Sequence, residues 1–220
     1  AELCRDEVDA IAAARGLPGQ VATLILPADV SWGDGGVSCP PPPAFQPQAA
    51  EDATVRAIAD AIRSGGKTAL LLGGNATRES ALLAAARIAA HDGVALLAET
   101  FPTRLERGAG LPPVERIAYL AELASVQLAD VKHLVLVDAK APVSFFGYPG
   151  KKSYLVPDTC TVHTLAAPAQ DAAASLDKLA HVLGADKAVP ALQPARRPVR
   201  PRGKLTAAKV CKAVGHLLPD

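Results

Sequence analysis

The stretch Thr68-Ala69-Leu70-Leu71-Leu72-Gly73-Gly74-Asn75-Ala76 opens as an unbroken apolar run and closes on two glycines and an asparagine. An apolar run without polar alternation predicts a strand buried on both faces, as in a parallel sheet. The residues that follow, 76–91, form a strongly helical stretch. Strand, tight turn and helix in that order are one half of a strand–helix–strand unit. The pattern repeats in both directions. Upstream, Asp52 to Arg63 carries Val55, Ile58, Ala59 and Ile62 at the helical period, and Ser64-Gly65-Gly66 ends it. Downstream come strands at Val94–Ala98, Leu134–Val137 and Thr161–Leu165, with helices at Val114–Ala129 and Ala172–Leu183, the last closed by Gly184. Such alternation predicts an α/β fold, a parallel sheet with helices on both faces.

The ends read differently. Asp6–Arg15 is helix-like, and Val21–Leu26 is an apolar run that predicts another buried strand. Residues 31–48 turn to glycine and proline, with Pro40 to Pro43 in succession, an extended linker. A second linker, Val189 to Gly203, mixes prolines and arginines, and a helix begins at Leu205. The apolar face of that last helix has no local cover, so it reads as the start of a further domain. With no methionine in 220 residues, where ordinary usage gives about four or five, the chain reads as an internal piece of a longer protein.

Composition narrows the function classes. Half of the residues are hydrophobic, which excludes disorder. The 45 alanines and few aromatic rings predict helices packed closely on the sheet. A net charge of +1 argues against nucleic acid as the main partner, because phosphate binding needs a basic surface. No run approaches the ~20 apolar residues of a membrane span. Cys4, Cys39, Cys160 and Cys211 are scattered, which argues against a metal site or a disulfide framework and makes a reducing cytoplasm the default.

Four motifs can carry chemistry. Gly33-Asp34-Gly35 has the form of a diphosphate–Mg²⁺ motif, but the chain's one asparagine is Asn75, and the triplet lies in a linker, so it reads as a turn. Gly73-Gly74-Asn75 follows a buried strand, where glycines let a backbone approach a ligand and a helix N-terminus favours phosphate. A plain tight turn explains the same residues equally well. Asp138-Ala139-Lys140 and Thr100 lie at carboxyl ends of strands, where open α/β sheets bind ligands, but a surface-loop lysine is more often merely solvated and Thr100 more often a local cap. The five histidines share no ligand spacing.

Taken in series, three landmarks resemble the thiamine-diphosphate-dependent decarboxylases and carboligases, especially acetolactate (acetohydroxyacid) synthase large subunits. Pro18-Gly19-Gln20-Val21-Ala22-Thr23-Leu24-Ile25-Leu26-Pro27-Ala28-Asp29-Val30 looks like the last strand of that family's pyrimidine-binding domain. Leu70 to Ala76 and Asp130 to Lys140 look like strand–loop units of its central domain. Leu205-Thr206-Ala207-Ala208 to Leu218-Pro219 looks like the start of its diphosphate-binding domain.

The resemblance implies a Rossmann-like central domain with a parallel sheet of about six strands. It implies the divisions 1–30, 31–50 (linker), 51–188 (central), 189–204 (linker) and 205–220. In the parent enzyme it implies a homodimer or homotetramer acting on a 2-keto acid, with thiamine diphosphate and Mg²⁺ bound outside these 220 residues. No catalytic residue is carried over, so the chain alone is expected to be inactive and to bind neither group. Some members hold FAD or ADP centrally. Matching them, Gly73, Gly74 and Asn75 fall on the first nucleotide loop, Thr100 on the second, and Ala139 and Lys140 on the third. FAD-binding synthases typically have Gly-Ala-Arg where this chain has Asp138-Ala139-Lys140. A negative charge and a lysine replacing a bidentate arginine both weaken such a site. The loop Ser144 to Gly150 either covers a flavin ring or closes the sheet edge. The alternative functions are a stand-alone FAD-, ADP- or NAD-binding module and a non-catalytic assembly domain.

Overall fold

The computed structural model describes residues 2–218. The elements run α1 (Glu2–Arg15), α2 (Ala28–Trp32), α3 (Asp52–Arg63), β1 (Lys67–Leu72), a 3₁₀ turn (Gly74–Thr77), α4 (Glu79–Ile88) and β2 (Val94–Ala98). They continue with β3 (Glu115–Arg116), α5 (Ala121–Leu128), β4 (Val131–Val137), β5 (Thr161–Ala166), α6 (Ala172–Leu183) and α7 (Ala207–Leu217). Five strands form one sheet in the order β3-β2-β1-β4-β5, every pair parallel. The expected α/β architecture is present with five strands rather than about six.

Successive strand residues face opposite sides, so β1 divides its side chains between two cores. Leu70 and Leu72 join Val55, Ile58, Leu82, Ile88, Leu176 and Leu179 beneath α3, α4 and α6. Ala69 and Leu71 join Leu97, Ala124, Leu128, Leu134 and Leu155 beneath α5 and the loop after β4. In α4, Ala81, Ala84, Ala85 and Ala86 are all buried. These short side chains permit the close helix packing that the alanine content predicted. Among the described residues, every buried core residue lies between Ala50 and Ala185.

Three sequence expectations need correction. Val21–Leu26 is not a strand: Val21 is 94% and Ile25 83% exposed, and no described strand pairs with the segment. A β run takes its hydrogen bonds from neighbouring strands, so apolarity alone does not make one. The helix expected over 76–91 is a 3₁₀ turn followed by α4, with Arg78 extended between them. The helix expected over 114–129 shrinks to α5, because Glu115 and Arg116 pair with β2 and Gln127 Oε1 accepts the Ala118 N–H at 2.8 Å.

Alpha-6 is bounded as its sequence dictates. Asp171 accepts the Ala174 N–H at 2.9 Å, and Gly184 closes the other end at φ +75°. Ser175 on this helix also fixes the chain entering α3. Its hydroxyl accepts the buried Ala50 N–H at 2.9 Å and donates to the Asp171 carbonyl at 2.6 Å. Ser175→Ala leaves the Ala50 N–H without its acceptor and is expected to cost about 1–3 kcal/mol of stability; urea unfolding measures it. Among the described residues no helix is long and apolar enough to cross a membrane.

Candidate ligand site at the sheet switch point

Beta-1 and β4 are neighbours at the sheet centre, and their exits diverge. The chain leaving β1 turns into α4 on one face, while the chain leaving β4 packs Ala139, Leu155 and Val156 on the other. In open parallel sheets such a divergence opens a crevice at the carboxyl ends of the strands. Gly73, Gly74, Asn75, Glu99, Thr100 and Asp138 to Lys140 all lie at this edge.

Backbone ties hold the loops together. The Gly73 N–H donates to the Val137 carbonyl at 3.0 Å, the Glu99 N–H to Leu72 at 3.1 Å, and the Asp138 N–H to Ala166 at 2.8 Å. Gly73 and Gly74 are required here by close approach. A Cβ on Gly73 would lie 2.4 Å from the Asp138 carbonyl oxygen, and one on Gly74 2.3 Å from Asp138 Oδ2. The loop thus uses its glycines to admit the chain's own Asp138.

Asp138 is buried and adopts φ +50°, a left-handed conformation that aspartate tolerates better than most residues. Its Oδ2 accepts the Asn75 N–H at 2.7 Å. A second carboxylate closes the start of α4, where Glu106 Oε2 accepts the Glu79 N–H at 2.6 Å. Backbone N–H groups at a strand–helix turn are the usual phosphate donors. Here both are occupied by side-chain carboxylates. A third, Glu99 Oε1, accepts the Lys140 N–H at 3.3 Å.

Burial pushes the Glu99 carboxyl up, opposed by the Lys140 N–H and reinforced by Asp138. Burial likewise pushes Asp138 up, against the pull of the Asn75 N–H. Both groups hold a proton more tightly folded than unfolded. Their ionisation therefore costs stability above the folded pKa, and stability returns as pH falls toward the unfolded value. Asp52 and Glu122 behave oppositely: hydrogen bonds from Lys178 and Lys151 lower them, so their stabilisation is lost on acidification. Glu99→Gln keeps an acceptor for Lys140 and is expected to raise Tm at pH 8. It should also flatten any loss of Tm that Glu99 causes as pH rises above the ordinary glutamate range, as a series of thermal melts would record.

The remaining candidates sit further out. Thr100 and Lys140 line a cavity of about 250 Å³ with Glu99, Leu71, Ile117 and Phe145. Ala139 is buried in the apolar cluster with Leu134 and Leu136, and its side chain has no polar atom to offer a ligand. Phe145 packs its ring 5.1 Å from Phe101 and 5.5 Å from Tyr119, and Phe146 lies 6.0 Å from Tyr119. The 144–150 loop thus contributes to a cluster of part-exposed rings at the cavity rim. Glu99 and Glu106 were not singled out in the sequence. Glu99 follows β2 directly, so the strand-end argument that selected Thr100 applies equally to it.

Gly33-Asp34-Gly35 follows α2 in irregular chain, and Asp34 is exposed. Among the described residues no three His, Cys, Asp or Glu side chains are grouped to hold a metal ion. These surroundings do not fit a diphosphate–Mg²⁺ site, and the carboxylates at the switch point do not fit an FAD diphosphate.

No family model matches the chain. Over all 220 residues it is 49% identical to a Mycobacterium tuberculosis (strain ATCC 25618 / H37Rv) protein whose name gives it only as a proposed acetolactate synthase large subunit, IlvX, and it spans 42% of that protein. Two solved structures share the fold. A proposed thiamin diphosphate-dependent enzyme from Mycobacterium smegmatis aligns with a TM-score of 0.60 at 18% identity, covering 88% of this chain and 40% of that one. A thiamine diphosphate-dependent 4-hydroxybenzoylformate decarboxylase from Rhodococcus jostii RHA1 aligns at 0.57 with 13% identity, covering 92% and 41%. The chain therefore spans less than half the length of each of these proteins. By sequence, over all of its 220 residues, the chain is thus similar to part of a protein named for the acetolactate synthase large subunit, and by fold it is similar to part of two thiamine-diphosphate-dependent enzymes.

Proposed function

We propose that the chain is the central, architectural α/β domain, with flanking segments, of an acetolactate-synthase-type enzyme. That enzyme decarboxylates a 2-keto acid and then joins or protonates the product. In this reading residues 51–188 are the central domain and 31–50 and 189–204 its linkers. Residues 1–30 end the pyrimidine-binding domain, and 205–220 begin the diphosphate-binding domain. The parent is a cytoplasmic homodimer or homotetramer, and its thiamine diphosphate and Mg²⁺ bind outside these residues. The observation that carries the reading is the 49% identity over the whole chain to a protein of that name, of which the chain spans 42%. The carbanion chemistry belongs to the cofactor, and a domain such as this one orients and shields the parts that bind it.

The switch-point crevice is architectural in this proposal. Asp138 and Glu106 take the N–H groups that an anionic nucleotide would need, so FAD and ADP are not held. Calorimetry of the purified chain with thiamine diphosphate and Mg²⁺, together with a pyruvate-dependent carbon dioxide assay, tests the assignment. The expected result is no saturable binding and no release above a blank. Saturable, Mg²⁺-dependent binding or turnover would mean that the active residues lie on this chain.

A further inference from the structure

Two of the four cysteines, 35 residues apart in sequence, meet in the fold. Cys4 lies in the first turn of α1, and Cys39 lies just before the prolines 40–43. Their sulfurs are 2.6 Å apart, and the Cys39 N–H points at Cys4 Sγ at 3.0 Å. Unbonded sulfurs normally rest more than a full ångström further apart, whereas a disulfide needs about 2.05 Å. Both residues are part-exposed, so a small reagent can reach them. Around them, α1 and the proline-rich stretch face each other across a groove of about 860 Å³, lined by Val8, Ile11, Pro41 and Phe45. The other two cysteines have no such partner among the described residues: Cys160 Sγ approaches only the Thr161 carbonyl, at 3.7 Å, and Cys211 is exposed on α7.

We propose that Cys4 and Cys39 are a thiol pair that closes to a disulfide, a modification site that ties the linker to α1. The co-reactant is a low-molecular-weight disulfide such as oxidised glutathione. One cysteine thiolate attacks it, forming a mixed disulfide and releasing one glutathione thiolate. The second cysteine, as thiolate, then attacks the protein sulfur of that mixed disulfide and releases the second glutathione. The protein loses two protons and two electrons, and the glutathione disulfide gains them as two thiols. Closure joins residues 4 and 39 into one covalent loop, so residues 33–38 can no longer move freely from the helix. Reduced glutathione in excess reverses it. This revises the sequence expectation that the cysteines are too scattered to pair.

The test is incubation of the protein with oxidised glutathione, followed by thiol counting under denaturing conditions and tryptic mass mapping. The count is expected to fall from four to two. The peptide ending at Arg5 should appear joined to the peptide spanning residues 16–56, with a mass two hydrogens below their sum. Cys4→Ser and Cys39→Ser should each abolish the joined peptide. Four thiols remaining, separate glutathione adducts on Cys4 and Cys39, or equal consumption of Cys160 and Cys211 would each overturn the proposal.

Discussion

Replacing Gly73 by valine is expected to remove about 3 kcal/mol or more of folding free energy, a large loss for one residue. The glycine's φ of −131° is ordinary, so conformation is not the cause. The cause is room. Its missing Cβ would fall 2.4 Å from the Asp138 carbonyl oxygen and 2.7 Å from Glu99 Oε2. Glu99 can swing aside, but the carbonyl cannot. The Asp138 N–H is bonded to β5 through Ala166, and the preceding Val137 carbonyl is bonded to Gly73 itself. Relief therefore requires separating β1 from β4 at the sheet centre. Gly147→Ala is the control, since nothing lies within 4 Å of the added carbon and its φ is not left-handed. It should change stability by less than about 0.5 kcal/mol. Urea unfolding of the two variants beside the parent chain reads both numbers.

Truncating the centre of β1 should be equally damaging. Leu70 is fully buried, paired in register with Leu96 on β2 and Val135 on β4, and covered by the three-helix face. Leu70→Ala is expected to cost about 2–5 kcal/mol, the spread reflecting how far α4 and α6 can close over the cavity. Val21→Ala makes a comparable chemical change at a residue that is 94% exposed and should cost almost nothing. A similar loss at both sites would mean that Val21 is packed in solution.

These contrasts show where a sequence is legible. The central strands were readable because Leu70, Leu71 and Leu72 are apolar on both faces, and such a run is buried in full inside a parallel sheet covered by helices on both sides. The helices of 52–63 and 172–183 were readable from the period of Val55, Ile58, Ala59 and Ile62 and from the Gly184 boundary, whereas the Asp171 cap emerged only in the fold. The apolar run Val21–Leu26 misled because periodicity reports what a segment would bury, not whether a neighbour is present to pair with it. The short strand Glu115–Arg116 was hidden because both residues are charged and exposed, and only register against Leu97 and Ala98 defines it.

The gathering of Gly73, Asn75, Thr100 and Lys140 at one edge of the sheet was legible, but the partners of these residues were not. Glycines after a strand announce close backbone approach, and Gly73 and Gly74 provide it. What approaches is a long-range fact. Asp138 lies 63 residues from Asn75, and Glu106 lies 27 from Glu79. The Asp138-Ala139-Lys140 departure leads to the expectation of a weakened anion site, and the Asp138–Asn75 hydrogen bond is the contact on which the proposal of a closed crevice rests. The acidic side chain does more than repel a phosphate from nearby, because it accepts the hydrogen bond that a phosphate oxygen would take.

Titration of the purified chain with FAD and, separately, with ADP by calorimetry tests this closed crevice most directly. The account predicts no saturable heat for either ligand at neutral pH, with Asp138→Asn as the variant in which any nucleotide affinity should first emerge. Saturable binding of FAD or ADP by the unmodified chain, lost on replacement of Gly74 by a larger residue, would contradict it.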